Sequence, residues 1–451
     1  MAGFAKQTVK LRIAMKYSYR VSTVAALGGL LFGFDTAIIN GAILFLRRHF
    51  GWTEVETEIA AGSLLAGCAL GAGLAGSLSD RHGRKKVLLL AALIFALSSV
   101  ATALPNSLAQ FVAARIVAGV AIGIASMVAP LYIAEVSPAA LRGRLVSMNQ
   151  LAIVLGILIS YLTGWALSGL GDQSWRWMFA VAAVPSVLFL AALFFVPESP
   201  RWLVKDGRHA EAAHVLAQLG ESRSRLESIQ AAVAEESGSL RQLLRPGFRL
   251  PLIIGLSLAV LQQVTGINTV LYYGSIIFTE QAGAASTSAA LWANVLVGLT
   301  NLVFTIVALF TIDRLGRKTL LIAAAGGMGA SLAALALVLG SGGTSPQLVL
   351  GFVLLYVSCF SFGMGPGVWV VIAELFPTRI RGRAMSVATV ALWLACLLIT
   401  VTFLSLVKAL TAAGAFSIYA ILCAATVWFV WKIVPETKGK NLEEIEHQWS
   451  H

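Results

Sequence analysis

Val21 to Gly41 reads VSTVAALGGLLFGFDTAIING. This apolar run has the length that crosses a bilayer core of roughly 30 Å, about 20 residues at 1.5 Å each, and it carries a single acid, Asp35. Blocks of the same kind begin near Ile59, Val87, Leu108, Leu145, Trp177, Leu250, Ala289, Leu320, Gln347, Ala384 and Gly414. Together they predict an all-α membrane protein of twelve transmembrane helices. Blocks this long do not alternate as barrel strands do, and a helix satisfies its own backbone groups in lipid. Composition agrees, with 58% hydrophobic and 12% charged residues. That is roughly half the charged share of a soluble domain, too little to coat a water-exposed surface. The basic opening MAGFAKQTVKLRIAMKYSYR leads into the first block without a small-residue cleavage pattern, so the block reads as a first transmembrane helix and not a removed signal.

The net charge is +12, but its placement argues against nucleic acid as a partner. The amino-terminal segment, every second loop and the tail hold nearly all of the 33 Lys and Arg residues. The opposite loops hold only Arg47, Arg48, Arg176 and Lys408, and Arg115 alone lies inside a span. Positive loops face the cytoplasm, which predicts a multi-pass protein of the inner or plasma membrane with both termini cytoplasmic. The longest loop, Pro197 to Arg249, is polar and has helical spacing at Ala212, Val215, Leu216 and Leu219. The chain therefore divides into a cytoplasmic segment (1–20), a first six-helix half (21–196), a cytoplasmic helical linker domain (197–249), a second half (250–434) and a cytoplasmic tail (435–451).

The two halves repeat each other. DRHGRKK at Asp80 to Lys86 returns as DRLGRK at Asp313 to Lys318. AEVSPAALRGR at Ala134 to Arg144 returns as AELFPTRIRGR at Ala373 to Arg383, and PESP at Pro197 returns as PET at Pro435. Three motifs in one order and at nearly one spacing mark a duplicated six-helix unit, the organisation of carriers whose halves rock about a central site. The acids and bases of these motifs are Asp80, Arg84, Glu135, Arg142, Glu198, Asp313, Arg317, Glu374, Arg381 and Glu436. Gathered at cytoplasmic helix ends, they can form a charge latch between two states.

Asp35 is buried deep in the first span, where an ionisable group costs roughly 2.5 to 3.5 kcal/mol and needs a partner or a water path. Counting 1.5 Å per residue from the ends of their helices places Asp35 and Arg115 at similar depths. Asp35 is the candidate proton carrier, and Arg115 favours its charged form when close. No histidine lies within a span. Gln150, Gln262, Gln263, Asn268 and Asn301 are amides inside spans, each with the donors and acceptors that hydroxyl groups require. Trp369 and Trp393 can stack on the apolar face of a sugar ring. Together they point to a neutral polyol cargo. Cys68, Cys359, Cys396 and Cys423 lie in apolar blocks without metal-ligand or redox spacing. Catalytic motifs are likewise missing, so no enzyme activity, cofactor or metal is expected.

The motifs GGLLFGFD, DRHGRKK, PLYIAEVSPAALRGR, PESPRWL, QQVTGIN, DRLGRK, AELFPTRIRGR and PETKG resemble, in order and over nearly the whole chain, the sugar porters of the major facilitator superfamily. The sequence looks most like bacterial proton-linked xylose, galactose and glucose symporters and animal facilitative glucose carriers. The resemblance implies the major facilitator fold and alternating access to one sugar site. It implies that Gln150, Gln262, Gln263, Asn268, Asn301 and Trp369 bind sugar, that Ile153 and Ile157 line the site, and that Tyr272 and Tyr273 belong to the outer gate. Proton-coupled members carry an aspartate at the position of Asp35, where facilitative members commonly have a neutral residue. The expectation is thus proton-coupled symport of a neutral hexose or pentose by a monomer, with uncoupled facilitation as the alternative. One departure stands out: many relatives have amides where this chain has Leu392 and Cys396, so a particular relative's sugar preference does not transfer.

Overall fold

The computed structural model describes residues 2–138, 141–234, 246–341, 345–376 and 378–436, with side chains for all of these except 2–14, 246–247, 313 and 378–381. The first half contains α1 (Ala2–Phe50), α2 (Glu54–His82), α3 (Arg84–Ala103), α4 (Leu108–Val136), α5 (Arg142–Leu167), α6 (Ser174–Val181) and α7 (Ala183–Leu193). Three short helices follow, α8 (Pro200–Lys205), α9 (His209–Gln218) and α10 (Arg223–Ala234). The second half contains α11 (Pro246–Val264), α12 (Ile267–Ile276), α13 (Thr287–Leu315), α14 (Arg317–Gly340), α15 (Pro346–Cys359), α16 (Gly365–Leu375), α17 (Thr378–Thr400) and α18 (Phe403–Ile433).

Among the described residues, 11 helical stretches are long and apolar enough to cross a membrane. One of them, Arg142–Leu193, has 52 residues, about 78 Å if straight, far more than one crossing. It reverses at Gly171, whose φ of 79° leaves the helix, so α5 and the α6–α7 pair cross separately and the chain makes twelve crossings. The first helix starts earlier than the hydropathy boundary at Val21. Between Phe4 and Leu27 there is no proline or glycine to stop it, so the helix begins at Ala2 and runs unbroken to Phe50.

Local chemistry sets the turns. Thr53 and Glu56 form a reciprocal capping box at the start of α2. Ser107 and Ser286 cap α4 and α13. Gly83 and Gly316 hold equivalent positions in the repeated motif and turn α2 into α3 and α13 into α14, with φ of 92° and 87°. A side chain there would be strained, and it would meet the carboxylate of Glu198 or Glu436.

The helices pack through small residues, the usual device where lipid offers no hydrophobic drive. Gly67 and Gly71 on α2 face Gly119 and Gly123 on α4. A Cβ at Gly119 would lie 2.0 Å from the Leu64 carbonyl oxygen, and one at Gly123 would lie 2.2 Å from that of Cys68. Backbone cannot move aside as a flexible side chain can. Gly119→Ala is therefore expected to destabilise the first half by about 1 to 3 kcal/mol through overpacking, read as a lower unfolding midpoint of the purified protein in detergent. An unchanged midpoint would show that the helices have room to spare.

Candidate functional site

The centre of the first half holds a buried ion pair. Arg115 on α4 is 0% exposed and Asp35 on α1 is 5% exposed. Arg115 Nη1 donates to Asp35 Oδ1 at 2.8 Å, and Nη2 donates to the Asp35 backbone carbonyl at 3.1 Å. The guanidinium also lies over the Phe179 ring, 5.2 Å from its centroid. Asp35 Oδ2 is buried and has no hydrogen-bond partner. The carboxylate is thus bonded to Arg115 through one oxygen only.

In the second half, α11 ends at Val264 and the chain restarts as α12 after Gly266, whose φ is 92°. The α15–α16 helix is likewise interrupted by a π-helical turn at Phe360–Met364. Interrupted helices release backbone groups that side chains can use. Gln262 Nε2 donates to the carbonyls of Met364 at 2.8 Å and Gly365 at 3.0 Å. Gln263 Nε2 donates to Gln262 Oε1 at 3.0 Å, and Asn268 Nδ2 donates to Gln263 Oε1. These three amides form one directed relay. Both N–H groups of Gln262 are tied to backbone, which leaves one N–H on each of Gln263 and Asn268 and the side-chain carbonyl of Asn268 for further partners. Asn301 on α13 accepts from the Ser361 hydroxyl at 2.7 Å, which orients its amide.

The remaining candidates sit around these groups. Gln150 and Ile153 on α5 are half-buried and Ile157 is buried. The Ile153 carbonyl comes so close to α1 that a Cβ at Gly33 would lie 1.9 Å from it. Trp369 on α16 is half-buried. Trp393 on α17 is buried with its indole N–H unpartnered, and its ring centroid is 5.3 Å from that of Phe32 on α1, so the two halves meet here through aromatic rings. The Tyr272 hydroxyl is 3.9 Å from Cys396 Sγ, and the Tyr273 hydroxyl donates to the Thr400 carbonyl at 2.7 Å. Both tyrosines thus fasten α12 to α17. Among the described residues, no group of three or more His, Cys, Asp or Glu converges as a metal site would.

At the end of the bundle away from the basic loops, the two halves are joined by polar contacts that local sequence patterns did not reveal. Arg47 pairs with Glu280 at 2.6 Å and Lys408 with Glu54 at 3.3 Å. Buried Glu58 on α2 accepts the backbone N–H of Ser405 at 2.7 Å and its hydroxyl at 2.6 Å, which caps the first turn of α18. Asn40 on α1 joins Leu271, Ser275 and Asn294. This far end is shut.

At the basic end, the repeated motifs build the same charge cluster twice. Arg84 makes a bidentate pair with Glu135 at 2.9 and 3.1 Å and donates to Asp80 at 3.2 Å. Glu198 accepts the backbone N–H groups of Arg84 at 2.9 Å and Lys85 at 3.1 Å, and the Glu135 carboxylate also accepts from the Ser199 hydroxyl. Burial pushes the Glu198 carboxyl above the usual carboxylate range, while hydrogen bonds from the Ser199, Lys85 and Arg84 amides and the charge of Arg84 pull the other way. In the second half, Arg317 donates to Glu374 at 3.0 Å, and Glu436 accepts the backbone N–H groups of Arg317 and Lys318 at 3.0 and 3.1 Å. All these bonds lie within one half, so in this state the clusters brace each half. Arg142 donates to the Ala134 carbonyl at 3.1 Å. The side chains of Asp313 and Arg381 and the tail from residue 437 lie outside the described residues.

The family model described as "Sugar (and other) transporter" matches residues 21–449. The chain is 40% identical to the glucose transport protein of Synechocystis sp., over 96% of this chain and 97% of that one. It is 37% identical to the D-xylose-proton symporter of Escherichia coli strain K12, over 96% of each. Its fold matches the partially occluded inward open conformation of the E. coli xylose transporter with a TM-score of 0.85 at 34% identity, covering 94% of this chain and 100% of that one. A twelve-crossing fold duplicated about its motifs, a sealed far end and these matches lead to one conclusion: the chain belongs to the sugar transporter family, within the major facilitator fold.

Proposed function

We propose that this protein is a proton-coupled symporter of a neutral monosaccharide, a hexose or pentose such as glucose, galactose or xylose, working by alternating access. The observation that carries this reading is the buried Asp35–Arg115 pair with one carboxylate oxygen unpartnered. A purely structural ion pair would be expected to use both oxygens, because a buried charge is costly unless fully bonded. The xylose relative is named as a proton symporter, which favours coupling over uncoupled facilitation.

In this reading, Asp35 takes a proton when its oxygen meets water, and Arg115 sets how readily that proton leaves. Gln262, Gln263, Asn268 and Asn301 offer hydrogen bonds to sugar hydroxyls, with Gln150 opposite them. Trp369 and Trp393 supply apolar faces, and Ile153 and Ile157 fill the wall. Tyr272 and Tyr273 move with α12 as part of the outer gate. The basic end faces the cytoplasm by the charge rule, with both termini there, and a single chain in the lipid bilayer is the working unit. The charge clusters at that end, including Asp313 and Arg381, latch the halves in the opposite state.

Competition binding on the purified carrier tests the cargo class. D-glucose, D-galactose or D-xylose is expected to protect the protein, and tetraphenylphosphonium is not. Tighter binding of the lipophilic cation than of every sugar would contradict the reading.

A further inference from the structure

On the outer surface of the second half, α11 and α18 leave a groove between them. Leu256, Val260 and Leu261 from α11 and Ala425, Trp428 and Phe429 from α18 line a cavity of about 450 Å³. It opens outward, since Ala425 and Trp428 are both exposed. Both helices lie in stretches long and apolar enough to span a membrane, so this surface meets lipid.

Each helix places one cation at the mouth of the groove. An α-helix turns once every 3.6 residues, so positions three, four and seven apart share a face. Lys432 follows Trp428 by four positions and Ala425 by seven, and Arg249 precedes Leu256 by seven. Both therefore sit on the groove side of their helices, one to two turns nearer the basic end, and both are exposed. Neither α11 nor α18 carries an acid. Glu436, the next acid along the chain, is turned to the backbone N–H groups of Arg317 and Lys318. The mouth is thus positive. Trp428 and Trp431 are each 57% exposed, and Lys432 Nζ lies 4.2 Å from the centroid of the Trp431 ring. Exposed indoles at the end of a spanning helix mark the level of the lipid head groups, and a lysine beside them keeps its charge in that layer.

An apolar groove that ends at two cations at head-group level matches one class of ligand in the bilayer, because basic pockets between spanning helices bind anionic head groups. We propose that the α11–α18 groove is a binding site for an anionic glycerophospholipid, with an acyl chain between Val260 and Phe429 and the phosphate between Arg249 and Lys432. Lipid tails are as apolar as the groove, so the groove positions the chain and the head group supplies the selectivity. A zwitterionic lipid brings its own cation to a positive mouth and loses part of the attraction. Both helices belong to the second half, so the site depends neither on how the halves are set against each other nor on which cargo is carried.

The test uses the full-length carrier in phosphatidylcholine nanodiscs, without sugar, doped with phosphatidylglycerol that carries a diazirine in one acyl chain. After photolysis the labelled peptides are mapped by mass spectrometry. Label is expected to concentrate on segments 256–261 and 425–429 over other lipid-facing helices such as α3. Unlabelled phosphatidylglycerol should displace it at least about tenfold better than phosphatidylethanolamine, and Arg249→Gln combined with Lys432→Gln should remove that preference. Ala425→Phe fills the groove and leaves both charges in place. It should cut the labelling about fivefold by excluding the chain, which keeps the proposal testable if the double variant does not fold. Label spread evenly over the lipid-facing helices would overturn the site, as would equal displacement by the two lipids or a preference that survives the double substitution. Displacement by soluble glycerol 3-phosphate as effective as that by phosphatidylglycerol would also overturn it, by showing an anion site with no place for a chain.

Discussion

Asp35→Asn is expected to abolish accumulation of sugar against its gradient while leaving exchange of labelled sugar between equal pools. Asparagine has nearly the shape of aspartate and can still accept from Arg115, but it cannot carry a proton across the cycle. The stake is large. One charge moving through 100 mV is worth about 2.3 kcal/mol, roughly a fiftyfold gradient when converted at 1.36 kcal/mol per decade. The substitution also leaves the Arg115 guanidinium, 0% exposed, without its counter-charge, and breaking a buried pair from one side costs about 3 to 5 kcal/mol. Some of that cost is softened by the bond from Arg115 to the Asp35 backbone carbonyl, which survives. The variant should therefore melt lower, and the exchange assay separates lost coupling from lost protein. Proton-driven uptake equal to wild type would contradict the assignment of Asp35.

Gln262→Ala is expected to weaken sugar binding at least tenfold. Gln262 has two jobs in the structure. It ties the carbonyls of Met364 and Gly365 where the α15–α16 helix is broken, and it anchors the relay that orients Gln263 and Asn268. Alanine removes both side-chain donors from these carbonyls, at about 0.5 to 1.5 kcal/mol for each hydrogen bond lost, and frees the two amides to turn away. Tenfold corresponds to about 1.4 kcal/mol, which the loss of the two bonds together with the release of the relay supplies. Calorimetry with D-xylose, D-glucose and D-galactose is the check. Wild-type affinity for the preferred sugar would remove Gln262 from the site.

Much of this architecture was legible in the sequence because it follows from local composition. Apolar blocks of one length can only be spanning helices, and the paired motifs at Asp80 and Asp313 expose the duplication without any knowledge of contacts. The helix rise alone placed Asp35 and Arg115 at similar depths, and the structure joins them at 2.8 Å. The start of α1 was harder, since hydropathy marks where lipid begins and not where a helix begins. The reversal at Gly171 shows as a short polar stretch.

The site was only partly legible. Sequence gives the amides but not their directions. That Gln262 spends both N–H groups on backbone depends on a π-helical turn a hundred positions away, which no local pattern announces. The far-end contacts were not legible at all. Glu58 with Ser405 and Asn40 with Ser275 join residues more than two hundred positions apart, so they depend on how the two halves are arranged. Asn40 lies one turn beyond Asp35 on the same helix, and its isolated polarity in an apolar run was the signal available.

The central claim is that sugar and proton cross together. The most direct measurement is the pH inside de-energised proteoliposomes, followed with a trapped dye while D-xylose, D-glucose or D-galactose is added outside. The account predicts that the transported sugar acidifies the interior as it enters and that Asp35→Asn abolishes the signal. Sugar entry with no change in internal pH, at any external acidity, would contradict it.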